Sequence, residues 1–163
     1  MLITLIAHVR FVLAVVATSP QAPPELAAQA AGEALRHASA DVSALEIAAV
    51  AYEESKFQDV RGKRAAVCGV MQVATGGREA ECRHLLDDRA YSYERGKAKI
   101  REARAWCQAT IKRRKLGDAC TFAVYGGGNA WREPRPQRYA LRVMARIKAI
   151  HEVIEPRQAR PAT

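Results

Sequence analysis

The sequence has few aromatic residues, no internal repeat and no hydrophobic run long enough to cross a bilayer. Aromatic residues make up only 6% of its 163 residues. Alanine is abundant, which favours helices. A membrane-spanning helix needs about 20 apolar residues, and the apolar run at the N-terminus is shorter. Together with the short length, these features argue against a multidomain enzyme, a collagen-like fibre and a multi-span membrane protein.

Positive and negative charge are divided unevenly along the chain. Residues 1–60 carry 3 basic and 7 acidic side chains, whereas residues 61–163 carry 23 basic and 10 acidic ones. So basic a second part predicts a polyanionic partner: a nucleic acid, an anionic membrane or an acidic cell-wall polymer. Composition alone does not choose among the three.

The N-terminal segment has the features of an export signal. Residues 1–17 are mostly apolar, and residues 11–17 have the length of a signal-peptide core. Small residues and Pro20, Pro23 and Pro24 follow, which indicates a boundary. We predict a signal peptide or signal-anchor at 1–22, a domain at 23–155 and a basic tail at 156–163. The alternative is an apolar first helix packed on the domain.

The four cysteines, Cys68, Cys82, Cys107 and Cys120, predict two disulfides if the chain is exported. Three pairings are possible, and short loops favour Cys68–Cys82 with Cys107–Cys120. Buried free thiols are the alternative. We predict no metal site, because the sequence has no C-x-x-C or H-x-x-x-H spacing.

The remaining pattern is mainly helical. Ser43 and Glu46 form a capping box before an apolar helix at 44–57. Residues 58–79 are irregular, with a short hairpin around 60–75, and residues 132–136 form a charged, proline-broken loop. Further helices are predicted at 24–38, 91–106 and 139–154, and an apolar segment at 120–125.

Glu54 occupies an unusual position on the predicted helix at 44–57. At 100° per residue it continues the apolar stripe of Ile47, Val50 and Ala51, whereas Glu46 and Glu53 form the polar face. An ionised carboxylate is costly in an apolar stripe, so its pKa should rise. A raised pKa suits a general acid near neutral pH. The alternative is a rim residue that reaches solvent.

Four short motifs follow one another along the chain. They are Glu54-Ser55-Lys56-Phe57, Gly69-Val70-Met71-Gln72, residues 123–128 (AVYGGG) and Arg138-Tyr139. Over about 44–154 the chain resembles the lytic transglycosylases with a soluble-transglycosylase catalytic domain. Their pattern is E-S-x-F, G-L-M-Q, A-Y-N-x-G and a tyrosine that opens a late helix. The resemblance implies a mainly α, lysozyme-like fold, akin to goose-type lysozyme, with a short β-hairpin.

The resemblance also implies the chemistry. Glu54 would be the single acid and base that cleaves the β-1,4 bond between N-acetylmuramic acid and N-acetylglucosamine in peptidoglycan. It would form a 1,6-anhydro product and need no cofactor. Ordinary glycosidases use two carboxylates, and Asp59, Asp87 and Asp88 are the nearest candidates for a second. We interpret these three aspartates as surface or capping residues.

Further substrate contacts are implied at Ser55, Met71, Gln72, Tyr125 and Tyr139. Met71 could equally belong to the core, and Tyr139 could simply start an amphipathic helix. The sequence departs from the family at Gly126, where an asparagine is usual, and over 63–67, where Lys63 and Arg64 add charge. Trp106 is interpreted as core, and Trp131 as core or sugar platform.

Other functions remain open at this point. A muramidase that uses water, such as a phage lysin, is the nearest alternative, and an inactive wall-binding protein is another. A nucleic-acid-binding module rests only on net charge and the basic run at 111–115, and we expect no nucleic-acid partner. An exported enzyme of this type could serve a secretion, conjugation or phage assembly in the periplasm or cell envelope.

Overall fold

A computed structural model describes residues 2–62, 66–110 and 117–156, and over these the chain forms seven α-helices and one two-stranded sheet. The helices are α1 (Leu2–Ala17), α2 (Pro24–His37), α3 (Ala44–Ser55), α4 (Glu79–Asp87), α5 (Arg89–Thr110), α6 (Gly117–Gly127) and α7 (Pro134–Ile154). The antiparallel strands are β1 (Val67–Cys68) and β2 (Val73–Ala74), paired Val67 to Ala74 and Cys68 to Val73. The predicted mainly α class with a short hairpin is confirmed.

Helix α3 lies at the centre of the fold. Residues 47–51 are all fully buried, and the helix packs against α2, α5 and α7. The predicted capping box starts it: the Glu46 amide donates to the Ser43 hydroxyl, and the Ser43 amide donates to the Glu46 carboxylate at 2.8 Å. Three alanines in this stretch let the neighbouring helices approach on several sides. The single apolar stripe drawn from the sequence therefore understates the burial of α3.

Several boundaries differ from those predicted. Helix α7 begins at Pro134, so the loop predicted over 132–136 is wrong from that residue onward. A proline fits the first turn because its missing N–H would have no partner there. Helix α4 was not predicted, because its sequence is highly charged and lacks a clear apolar stripe. Only Cys82 and Leu85 of this helix are buried. Helix α6 includes the predicted apolar segment at 120–125.

Two disulfides join neighbouring elements, with the predicted pairing. Cys68 bonds Cys82 with a Cα–Cα distance of 5.3 Å, which ties β1 to α4. Cys107 bonds Cys120 with a Cα–Cα distance of 6.1 Å, which ties α5 to α6. The alternative of free thiols is wrong.

Helix α1 packs against α2 and α7, with Phe11, Ala14 and Val15 buried. Across the described ranges, no helix combines the length and apolarity that crossing a bilayer requires. This packing matches the alternative of an apolar first helix, and the export signal at 1–22 stays a prediction. Lys63, Arg64, the basic run at 111–115 and residues 157–163 of the predicted tail lie outside the described residues.

Candidate active site

Glu54 lies in the last turn of α3, one residue before the helix ends. The chain leaves the helix through Lys56 and Phe57, whose φ angles of 57° and 67° are left-handed. Such a conformation ends a helix cleanly, but it is unusual for a bulky aromatic residue. Phe57 is nevertheless fully buried, so packing compensates for the strained backbone. This sharp turn fixes where α3 stops and therefore where Glu54 projects.

Removal from water raises the pKa of Glu54 to about 6. The side chain is half-buried, and its place at the C-terminal end of α3 also disfavours negative charge. The neighbouring Glu53 adds to the rise, whereas Tyr139, Lys99 and Arg142 oppose it. Glu54 is thus a carboxyl group that changes protonation state near neutral pH, as its position on the helical wheel predicted.

Two buried tyrosines from different helices flank this carboxyl group. Tyr125 on α6 donates its hydroxyl to the Met71 carbonyl at 2.6 Å. Tyr139 on α7 lies close enough to Glu54 to lower the pKa of its carboxyl group. Within the described part of the chain, the Tyr139 hydroxyl makes no hydrogen bond of regular geometry. Burial, followed by the proximity of Glu54, raises the pKa of both phenols well above the usual value. The two predicted tyrosines are therefore brought together around Glu54.

Lys99 is a site residue that the sequence motifs did not reveal. It projects from the middle of α5, and its Nζ lies 4.3 Å from the centre of the Tyr125 ring. Burial lowers the pKa of Lys99, and the charge of Glu54 partly restores it. No sequence motif marks Lys99, because its approach to Tyr125 depends on how α5 packs against α6. This cation can stabilise a carboxylate at Glu54.

Ser55 connects the end of α3 to the loop after β1. Its hydroxyl is buried and donates to the Val70 carbonyl at 2.8 Å, with a second contact to Ala51 O at 3.2 Å. The loop itself requires Gly69, whose φ is 77° and which lies directly against Ser92 of α5. Ser55 thus positions the loop and has no hydroxyl proton left for a substrate.

Met71 and Gln72 have structural roles in the same loop. The Met71 side chain is fully buried against Gly96, which is the core position that the sequence left open. Gln72 donates its amide protons to the carbonyls of Val60 and Gly69, both at 2.8 Å. Met71 therefore belongs to the core and Gln72 braces the loop, and the predicted contacts of these two side chains with sugar stay predictions.

Glu53 is not the solvent-facing residue that the helical wheel suggested. Its side chain is 7% exposed and accepts Arg142 Nε at 3.0 Å, with Arg146 at 3.6 Å and Lys56 at 4.0 Å. Glu46, predicted on the same polar face, pairs with Arg104 of α5. The polar face of α3 is covered by cations from neighbouring helices, because α3 is central.

Steric packing explains why position 126 is glycine, where the pattern that the chain resembles has asparagine. A Cβ atom at this position would lie 2.7 Å from Cδ1 of the Tyr139 ring. The absence of a side chain lets Tyr139 pack directly on α6 and reach toward Glu54. The glycine therefore helps to place one of the two tyrosines.

The two tryptophans differ in burial, and Trp106 is more exposed than predicted. Trp106 is 39% exposed, so the interpretation as core is wrong, whereas Trp131 is buried. Their rings meet edge to face with centroids 5.9 Å apart, and Arg132 lies over Trp131. Trp131 is therefore core, and it supports an exposed indole on α5.

The three aspartates considered as a second carboxylate occupy structural or surface positions. Asp59 pairs with Arg89, and Asp88 accepts the Tyr91 amide at 2.9 Å as a cap on α5. Asp87 ends α4 at the exposed surface. Among the described residues, no three side chains form a cluster suited to a metal ion.

Comparison of the chain with protein-family models, with curated proteins and with solved structures finds no match.

Proposed function

We propose that the chain is a peptidoglycan lytic transglycosylase with a lysozyme-like domain and that Glu54 is its single acid and base. The observation that carries the proposal is the environment of Glu54: a half-buried carboxyl group with a pKa of about 6, next to two buried tyrosines. A carboxyl group of this kind holds a proton near neutral pH and can deliver it to a glycosidic oxygen. The ordered motifs around it support the family.

The reaction runs in two proton transfers. Protonated Glu54 gives its proton to the oxygen between N-acetylmuramic acid and N-acetylglucosamine, and the bond from C1 to that oxygen breaks through an oxocarbenium-like transition state. The Glu54 carboxylate then takes the proton of the C6 hydroxyl as O6 bonds to C1. The product is a 1,6-anhydro sugar, Glu54 is protonated again, and no water is consumed.

The neighbours of Glu54 fit this cycle. Lys99 and Arg142 stabilise the carboxylate that exists between the two transfers, while burial favours the protonated form before and after. A two-carboxylate hydrolase would place a second acid about 5–9.5 Å from the first. Among the described residues that chiefly affect the pKa of Glu54, Glu53 is the one carboxylate, and it is held by three cations. This arrangement favours a single acid and base.

The disulfides support an exported enzyme of the periplasm or cell envelope, because such bonds persist in oxidising compartments. A place beside a secretion, conjugation or phage assembly is compatible with this setting. No cofactor and no nucleic acid enters the proposed reaction.

Clearing of purified sacculi tests the assignment of Glu54. Wild type should reduce the turbidity of a sacculus suspension, and Glu54→Gln should lose that activity by a factor of at least about 100, as for a removed acid–base group. Glu152→Gln, an exposed acid near the end of α7, is the matched control and should keep full activity. Clearing by Glu54→Gln at the wild-type rate would show that the mechanism is wrong.

A further inference from the structure

Four arginines form a ridge along one face of α7. Arg135, Arg138, Arg142 and Arg146 recur at intervals of three and four residues, which places them on one side of a helix. At 1.5 Å per residue, the ridge extends over roughly 16 Å. We call these four side chains the arginine ridge. Acidic residues on α7 lie only beyond it, at Glu152.

Most of the charge of the arginine ridge is not neutralised within the described residues. Glu53 is shared by Arg142, Arg146 and Lys56, so one negative charge meets three positive ones. Arg135 and Arg138 are exposed and have no ion pair in the described part of the chain. Arg146 is only 20% exposed, so the surplus of positive charge that the ridge presents to solvent comes mainly from the other three arginines.

The ridge borders the candidate active site. Arg138 precedes Tyr139, whose ring packs on α6 beside Glu54. The guanidinium of Arg142 lies 5.8 Å from the centre of that ring and also lowers the pKa of Glu54. A strand bound at Glu54 would thus pass next to these cations.

We infer that the arginine ridge binds the carboxylates of the peptide stems of a peptidoglycan strand. This inference rests on the proposed function, because it takes the strand at Glu54 to be peptidoglycan. In a stem-bearing strand the lactyl carboxyl of each muramic acid is in amide linkage, so the free carboxylates belong to the stems. Guanidinium groups suit carboxylates, which they can bind through two parallel hydrogen bonds.

Binding to two kinds of insoluble sacculi tests the inference. One kind is natural, and the other has its stem carboxyl groups converted to neutral amides with carbodiimide and ammonia. Co-sedimentation of the Glu54→Gln protein, which leaves the sacculi intact, should show that it binds natural sacculi several-fold more tightly than amidated ones, and that added salt reduces this preference. Equal affinity for the two kinds would overturn the inference.

A double variant assigns the preference to the arginine ridge. Added to Glu54→Gln, the pair Arg135→Gln and Arg138→Gln should reduce the preference about threefold, which is within the range expected for two exposed ion pairs. Lys148→Gln, also exposed on α7 but on another face, should keep it. Circular dichroism checks that the variants are folded. If adding the two arginine substitutions left the preference of the Glu54→Gln protein unchanged, the inference would be contradicted.

This experiment separates the two proposals. Binding is measured without cleavage, so the ridge can be tested even if sacculi are not cleared. If sacculi are cleared through Glu54 but natural and amidated walls bind equally, the proposed function stands and the role of the ridge is wrong.

Discussion

At the scale of single residues, the central feature is a carboxyl group whose environment favours its protonated form. Glu54 belongs to a helix whose residues 47–51 are fully buried, and burial raises its pKa to about 6. The helical wheel predicted this property from the sequence, because the spacing from Ile47 and Val50 is set by helix geometry. Lys99 was not predictable, since its approach to Tyr125 depends on how α5 packs against α6.

Glu54→Gln should make the protein more stable at neutral pH. The pKa is 4.5 in an ordinary glutamate and about 6 here, so the unfolded chain releases its proton first as pH rises. The wild-type free energy of unfolding therefore falls between pH 4.5 and 6, by about 2 kcal/mol at most, and stays reduced above pH 6. Glutamine carries no such penalty. Urea unfolding at about pH 7.5 should favour the variant, with equal stability at about pH 4. Equal stability at both values would contradict the burial of Glu54.

Gly126→Ala should be destabilising by about 1–3 kcal/mol, because the new methyl group would overlap the Tyr139 ring. Gly32→Ala is a matched control: it is also a helical glycine, but a Cβ there has no neighbour within 4 Å. The control should gain about 0.5–1 kcal/mol from the better helix propensity of alanine. Thermal unfolding checks both variants, and similar effects at the two glycines would refute the close packing of Tyr139 on α6.

At the scale of elements, the site depends on how α3, α6 and α7 are held around one loop. Ser55 binds the loop to α3, and Tyr125 binds it to α6 through the Met71 carbonyl. Capping and the apolar pattern predicted the start of α3, since these signals are local. The early end of α3 was not predictable, because Phe57 adopts a left-handed conformation that only tertiary packing stabilises. The sequence predicted that Met71 and Gln72 lie in this loop, but their bonds and packing within the protein depend on tertiary contacts that the motif does not reveal.

The two disulfides should differ in their effect on activity. They close loops of 14 and 13 residues, so removing either one should cost a similar free energy of unfolding, about 3 kcal/mol. Cys68 directly precedes Gly69 in the loop that Ser55 holds, whereas Cys107–Cys120 joins α5 to α6. Replacing Cys68 and Cys82 by serine should therefore reduce clearing of sacculi more than replacing Cys107 and Cys120. Rates should be measured at a temperature where both variants are folded. An equal loss in the two would show that the first disulfide does not specifically support the loop.

At the scale of the whole molecule, the structure shows where the unevenly distributed charges of the sequence lie. The acidic first part includes α3, whose Glu46 and Glu53 pair with arginines from the basic second part. Within the described residues, the arginine ridge of α7 places further positive charge beside the site. The count of charged residues led to the prediction of a polyanionic partner but could not reveal this ridge. The predicted helix began at Tyr139, whereas α7 begins at Pro134 and so includes Arg135 and Arg138.

The N-terminal helix illustrates the limit of local patterns at this scale. Its apolar sequence suits both an export signal and a helix packed on the domain, because both require hydrophobic side chains. In the structure Phe11 and Val15 contribute to the core, while Leu5 and Leu13 on the outer face are exposed. Grooves of about 310 and 290 Å³ lie between α1 and the end of α7, at the opposite end of α7 from Tyr139.

The most direct test of the central claim is mass spectrometry of the muropeptides released from purified peptidoglycan. Wild type should release products that end in 1,6-anhydro-N-acetylmuramic acid, and Glu54→Gln should release almost none. Hydrated reducing ends from wild type would instead identify a water-using muramidase and contradict the proposed transglycosylase.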